Sequence, residues 1–430
     1  MRSPGVYKEE VLQPPPRATR TGVPAFVGLA ATGPVALADT FVRWRRLREL
    51  LEAGDSLSSD DRALRDALRL RVRLGDWAGA EDAIADGDWA TFTDALRVES
   101  FAEFRDRFGP AVAGGFLSEA VRAFFGSGGG RCYVLRLAPG APSTSALRSA
   151  LGALELLDEV DLVCAPDIAR PIVPRAEAIE LEREIVDRCD RGGRRFAVLD
   201  SLPSGDPVAQ ADALRSANAA LYHPWVRPTP GPDGDPGFVP PCGHVAGVIA
   251  RTDARVGVHK APANEPLAMV LDLQASVDAA AQAEMNAAGV NVIRAFPGRG
   301  IRVWGARTLS TDGAWTYVPV RRLFLTAARW IEREFDEPLF EPADRALRAR
   351  VELRLTQYFD DLFRRGALKG ATREEAYYVR CDEETNPPSE QDAGRVVAEI
   401  GLAPASPSEF VVLQITRDAT GVSIAGPSLG

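Results

Sequence analysis

Three groups of residues in this chain have the types and spacing to do chemistry. The first is the glycine cluster of "AVRAFFGSGGGRCYVLRL" (120–137), in which Gly126, Gly128, Gly129 and Gly130 precede Arg131. Such a loop cradles phosphate when it follows a strand and opens a helix, because the helix N-terminus supplies free N–H donors and the positive dipole end. Here the order is reversed. A helical stripe of Phe116, Leu117, Ala120, Val121, Phe124 and Phe125 comes first, and the strand face Tyr133, Leu135 and Leu137 second. A glycine after Phe125 suits a left-handed helix C-cap, and no G-K-[ST] follows. The loop is expected to turn the chain. "AFPGRGIRVWG" (295–305) receives the same reading: Gly298, Gly300 and Gly305 open no convincing helix, so turns and close backbone approach are expected.

The second group is Cys242 and His244 in "PPCGHVAG", with His223 and His259 nearby. Zinc sites show two paired-ligand spacings, and only one short pair is present, so packed or surface residues are expected. A Cys–His nucleophile would use the same two residues, but nothing local would activate the thiol. The third group is Asp167 and Asp200, which end the apolar runs "VDLVCAPD" and "RRFAVLD". With His244 or Cys242 they would form the site of an α/β-domain hydrolase. Helix capping and turn formation are the plainer roles for strand-end aspartates. There is no G-x-S-x-G or H-E-x-x-H, and three histidines offer little acid–base chemistry. No catalytic residue, cofactor or metal is expected.

The elements around these residues alternate. From Ser100 to about Val245, helices such as "RAEAIELEREIVDRCD" lie between short apolar strands, which argues a layered α/β domain. "RPTPGPDGDPGFVPPCG", Arg227–Gly243, reads as a loop, with helices beyond it at about Leu323–Phe335 and Ala346–Arg365. The two ends read as extended arms. Pro4 and Gly5 precede β-prone Val6, Tyr7 and Val11 before three prolines, and the chain closes on strands at Phe410–Ile415 and Val422–Ile424. Residues 41–98 differ in texture, with amphipathic helices and an acidic, alanine-rich stretch between Trp77 and Trp89, and read as a helical insertion. The expected order is an N-terminal arm (1–25), the start of the core (26–40), the insertion (41–98), a central α/β domain (99–280), a C-terminal α+β domain (281–412) and a C-terminal arm (413–430).

With 430 residues, the chain is long enough for two or three domains and a sizeable core. Its net charge of −9 argues against nucleic acid as the main partner. The first ten residues lack the pattern of a secretory leader, no run approaches the ~18 apolar residues of a membrane helix, and five scattered cysteines suit a reducing cytoplasm.

Along nearly its whole length the sequence resembles the tail-sheath proteins of contractile phages and contractile injection systems. The matching blocks run in order: "SPGVYKEEV", "TGVPAFVGLAATGP", "SFAEFRDRFGP", "LSEAVRAFFGSGGGRCYVLRL", "ALYHPWV", "VPPCGHVAGVIARTDARVGVHKAPAN", "GVNVIRAFPGRGIRVWGARTL", "WTYVPVRRLF", "FEPADRALRARV", "GALKGATREEAYYVRCDEETNP" and "APASPSEFVV". The 41–98 stretch departs from the family, where only a short link is expected, and suggests decoration of the outer surface.

The resemblance implies a structural subunit and no enzyme. Subunits would polymerise helically with six-fold symmetry around an inner tube, in an extended and energy-loaded form, then contract and drive the tube through a target membrane. The arms would add strands to sheets of neighbouring copies, through Pro4, Gly5, Val6, Tyr7 and Val11 at one end and Phe410, Val412, Ile415, Val422 and Ile424 at the other. A C-terminal-domain helix would touch the tube, with Arg364, Arg365 and Lys369 of "YFDDLFRRGALKG" as candidates; basic residues at a helix end also complement its dipole. Further implied partners are baseplate and terminal cap proteins and sister sheath subunits, with no nucleic acid and no direct membrane insertion. Assembly in the cytoplasm into a phage-tail-like particle, released or anchored, would follow.

Overall fold

The computed structural model describes residues 19–33, 62, 96–137, 144–203, 205–335, 345–393, 395–405, 411–418 and 421–425. Nearly all of the 41–98 stretch therefore lies outside the described residues. The chain divides into two compact units, Arg20–Arg329 and Trp330–Ala403 with Val411–Pro427, and the division falls within the helix Val318–Phe335.

The larger unit carries β1 (Pro24–Leu29), β2 (Arg97–Val98), β3 (Cys132–Leu137), β4 (Leu162–Cys164), β5 (Phe196–Asp200), β6 (Ala219–His223), β7 (Val226–Pro228), β8 (Glu265–Pro266), β9 (Val270–Leu273), β10 (Val290–Phe296) and β11 (Gly300–Val303). Nine of them form one sheet in the order β2-β3-β1-β4-β5-β6-β10-β11-β8, parallel from β3 to β10 and antiparallel at both ends. β7 and β9 pair separately.

Successive side chains of a strand point to opposite faces, and both faces here are covered. Ala25, Val27 and Leu29 of β1 join Ala197 and Leu199 of β5 in one core, under the helices Thr144–Gly152 and Arg175–Gly192. Phe26, Phe196 and Val198 join the other core, under the helices Leu117–Gly126 and Cys242–Arg255. The result is the layered α/β architecture expected from the alternating texture.

Several boundaries differ from the sequence reading. β1 begins at Pro24, inside the range read as arm, and β2 is the end of the range read as insertion. The central sheet runs well past residue 280, because β10 pairs in parallel with β6 and β11 folds back on β10. The stretch 227–243 read as a loop begins inside β7, which runs Val226–Pro228, and a helix already opens at Cys242.

In the smaller unit, the helix Arg345–Arg364 and the short helices Arg373–Ala376 and Pro388–Asp392 accompany four antiparallel strands. These are β12 (Tyr377–Arg380), β13 (Val396–Leu402), β14 (Val411–Asp418) and β15 (Gly421–Ala425), in that order. Trp330 stacks on Tyr358 with ring centres 3.9 Å apart and planes within 3° of parallel.

Candidate functional site

The glycine cluster is a helix stop. Gly129 N–H donates to Phe124 O at 2.9 Å and Gly128 N–H to Phe125 O at 3.1 Å, with Gly128 at φ 106°. That is the Schellman pairing that closes a helix C-terminus, as the order of elements predicts, and it leaves no helix N-terminus facing the loop. The second glycine stretch is the β10–β11 hairpin turn, with Gly298 and Gly300 at φ 70° and 74°. Gly305 is a close approach: a Cβ there would lie 2.7 Å from Asn291 Oδ1.

The two strand-end aspartates cap helices. Asp167 Oδ1 accepts from Phe116 N at 2.6 Å and Oδ2 from Leu29 N at 2.7 Å. Phe116 is the N-cap of the helix Leu117–Gly126 and has no side-chain cap of its own, so the carboxylate satisfies that helix end from outside. Its location matters. The chain leaves β1 for β3 on one side while β4 lies on the other, and ligands of open α/β sheets bind in the crevice at such a switch point. Here Asp167 fills that crevice, so closely that a Cβ on Gly28 would sit 2.4 Å from Oδ2. Asp200 repeats the device: its Oδ1 accepts from Cys242 N at 2.7 Å, at the start of the helix Cys242–Arg255.

The structure thus brings Asp200 and Cys242 together, though not as a reactive pair. Burial holds the Cys242 thiol well above its usual range, so it stays protonated. His244 is fully buried, has no hydrogen-bond partner at either ring nitrogen among the described residues, and its pKa is pushed down to about 3 by desolvation. His223 Nδ1 instead meets Ser201 Oγ at 2.9 Å. Among the described residues no cluster of His, Cys, Asp and Glu could hold a metal ion. None of the described helices is long and apolar enough to cross a membrane.

Among the described residues, the assembly candidates fall on a sheet edge and a helix end. Val412 and Ile415 lie in β14, paired with Gly401 and Ala398 of β13. Val422 and Ile424 lie in β15, which among the described residues pairs with β14 alone and so stands at one end of the strand order. The other arm candidates, Pro4, Gly5, Val6, Tyr7, Val11 and Phe410, lie outside the described residues.

The point where the N-terminal arm would join the body is described, and it is anchored. Asp161 accepts from Gly22 N at 3.0 Å and Val23 N at 2.7 Å, and is itself bound by the buried Arg322 at 2.9 Å. Arg322 also grips Asp253 through two hydrogen bonds of 2.9 and 2.6 Å, and the two carboxylates hold its pKa above the usual guanidinium range despite burial. Arg329 adds a bond to Arg20 O at 2.8 Å.

At the helix end, Ala367 N–H donates to Leu362 O at 2.9 Å and Gly366 N–H to Phe363 O at 2.9 Å, a second Schellman closure with Gly366 at φ 75°. Arg364 pairs with Asp360 and Arg365 with Asp361, each one helical turn back, and both arginines are exposed. Lys369 is exposed and has no carboxylate partner among the described residues. The sequence reading missed Arg373, which reaches Asp360 at 2.7 Å from beyond the helix; a spacing of 13 residues carries no periodic signal. It also missed Glu182, although that residue falls in phase with buried Ala178, Ile185, Val186 and Cys189 on one helix.

Comparison with known proteins bears on this arrangement. Family models described as the phage tail sheath protein central domain and the phage tail sheath C-terminal domain match residues 144–309 and 310–417. A protein of Pseudomonas aeruginosa (strain UCBPP-PA14) named as a prophage major tail sheath protein is 25% identical over 230 residues, which are 50% of this chain and 56% of that one. The chain therefore spans about half the length of that curated relative. Among solved structures, the anti-feeding prophage helical sheath in the contracted state is similar at 28% identity and a TM-score of 0.68, over 97% of this chain and 100% of that one. The sheath complex of the extracellular contractile injection system PVC, also contracted, is similar at 26% identity and a TM-score of 0.64, over 98% and 99%.

Proposed function

Because the chain belongs to the phage tail sheath protein family, we propose that it is a structural subunit of a contractile sheath. It polymerises helically, with six-fold symmetry, around an inner tube, holds energy in the extended assembly and contracts to drive the tube through a target membrane. The observation that carries this reading is the correspondence, over almost the full chain, with sheaths solved in the contracted state. It is not an enzyme in this reading. The strand-end aspartates that would have served a hydrolase are spent on backbone N–H groups.

The assembly surface has two parts. The edge strand β15 and the two chain ends supply backbone donors and acceptors for strand exchange between copies. Arg364, Arg365 and Lys369 at the helix end meet an acidic inner tube. With Arg364 and Arg365 already paired to aspartates, Lys369 carries most of the uncompensated charge. Baseplate and terminal cap proteins and sister subunits are the further partners, in a phage-tail-like particle assembled in the cytoplasm.

Electron microscopy of the purified chain, alone and with its tube protein, tests this. Long hollow helical tubes are expected in both samples, wider for the chain alone than around the tube. Discrete monomers or small closed oligomers in both would overturn the sheath reading, and a single helical pitch would leave a scaffold that does not contract. Changing Arg364, Arg365 and Lys369 together to glutamate should weaken assembly on the tube, while tubes of the chain alone persist. Unchanged assembly and salt dependence would remove the tube contact.

A further inference from the structure

The β10–β11 hairpin gathers cations that nothing in the described residues neutralises. Arg294 and Arg299 both lie over the Phe296 ring, each 5.6 Å from its centre, and Phe296 packs on Trp304 at 4.5 Å. Arg302 donates to Arg299 O at 3.0 Å and to Asn264 O at 2.6 Å, while Arg299 donates to Asn264 Oδ1 at 2.8 Å. Arg294 is held by Gln282 Oε1. Every one of these acceptors is neutral. Nearby Arg251 and Arg255, by contrast, meet Glu265 at 3.6 and 2.6 Å.

Asn264 presents both its oxygens to Arg299 and Arg302 and sits at φ 58°, in the left-handed region that asparagine enters more readily than other non-glycine residues. Like charges held together by neutral acceptors, in a chain of net charge −9, form a surface shaped for an anion. Guanidiniums stacked on an aromatic ring keep their edge N–H groups free for carboxylates, which they bind in bidentate fashion.

The same chain carries a matching surface. Glu374, Glu375, Asp382, Glu383 and Glu384 flank β12 and are all exposed. Within that stretch Arg380 is the sole cation, at 3.9 Å from Asp382 and 3.3 Å from Glu384. We propose that the hairpin bearing Arg294, Arg299 and Arg302 docks on the Glu374–Glu384 segment of a second copy of this chain. Two different patches meeting head to tail do not close by two-fold symmetry and propagate a helical array. The inference rests on the sheath reading for its geometry, and on charge complementarity for its partner.

The test uses the full chain with two sets of reversals, Arg299→Glu with Arg302→Glu on the hairpin, and Glu383→Arg with Glu384→Arg on the acidic segment. Self-association is followed by sedimentation and electron microscopy at low and high salt, with thermal melting as the check on folding. Each set alone should raise the concentration needed for assembly by about tenfold or more, and weaken its salt dependence. Combining both sets in one chain, or mixing the two variant chains, should restore assembly. Arg302→Gln keeps a polar contact to Asn264 and should give an intermediate loss. Unchanged association of the hairpin variant, or failure of the combined reversal to restore it, would overturn the proposal. The sheath reading fails separately, when the parent chain forms no tubes; salt-sensitive oligomers that still obey the reversals would then support the docking without it.

Discussion

Glu182, on the helix Arg175–Gly192, and Asp200, at the end of β5, are buried acids that share one amide. Gln210 Nε2 donates to both Glu182 oxygens, at 3.0 and 2.9 Å, and to Asp200 O at 3.0 Å. Burial pushes Glu182 from 4.5 up to about 8 and Asp200 from 3.8 up to about 7. An acid whose pKa rises on folding keeps its proton in the folded chain over a window where the unfolded chain has released it. The stabilisation is therefore full below the unfolded pKa values and declines as pH rises toward about 8. Thermal melting should show stability falling from pH 5 to pH 8, and Glu182→Gln should flatten that slope by an amount on the order of a few kcal/mol. An unchanged slope would mean Glu182 is ionised in the folded chain. At this scale the sequence was partly legible. Asp167 and Asp200 stand at strand ends, where capping is the ordinary role, and they cap. The Arg322–Asp161–Asp253 cluster was not legible, because its members are 161 and 69 residues apart and no local spacing joins them.

Among the elements, the "PPCGHVAG" stretch shows how packing can resemble chemistry. Its residues open a helix that crosses the Leu117–Gly126 helix at very short range. A Cβ on Gly243 would stand 2.2 Å from Ala120 O, and one on Gly247 would stand 2.6 Å from Phe124 O. Small residues four apart let two backbones approach, and the histidine between them is simply enclosed. Gly247→Val should cost about 1–3 kcal/mol in a denaturant melt, because backbone cannot give way as a side-chain tip can. Gly192→Ala, at a helical position with open space around it, should be neutral or mildly stabilising. Equal effects of the two changes would refute the close crossing. Helices and strands were readable from periodicity and turn residues. The extent of the sheet was not, since β10 was assigned beyond the 280 boundary although its partner β6 lies about 70 residues earlier.

On the scale of the whole molecule, the family resemblance was readable because many short blocks recur in order, each weak alone. The strand order was not, since β1 pairs with segments more than 100 residues away on both sides. The arms belong to this scale too. Deleting Met1–Gln13, or the segment after Arg417, should abolish tubes while leaving a folded subunit, as judged by microscopy and circular dichroism. Normal tubes from either deletion would remove strand exchange from the assembly.

The anchored start of β1 has a mechanical consequence. β1 is an interior strand with parallel neighbours on both sides, and Asp161 fastens the two residues before it. A pull on the chain from beyond Arg20 directed along the strand axis would load the rungs to β3 and β4 in shear, so that they yield together. A hairpin strand such as β15 can instead be peeled from β14 one rung at a time. Tension along that axis would thus enter the body through bonds that give way only together, which favours moving the unit whole over unravelling it.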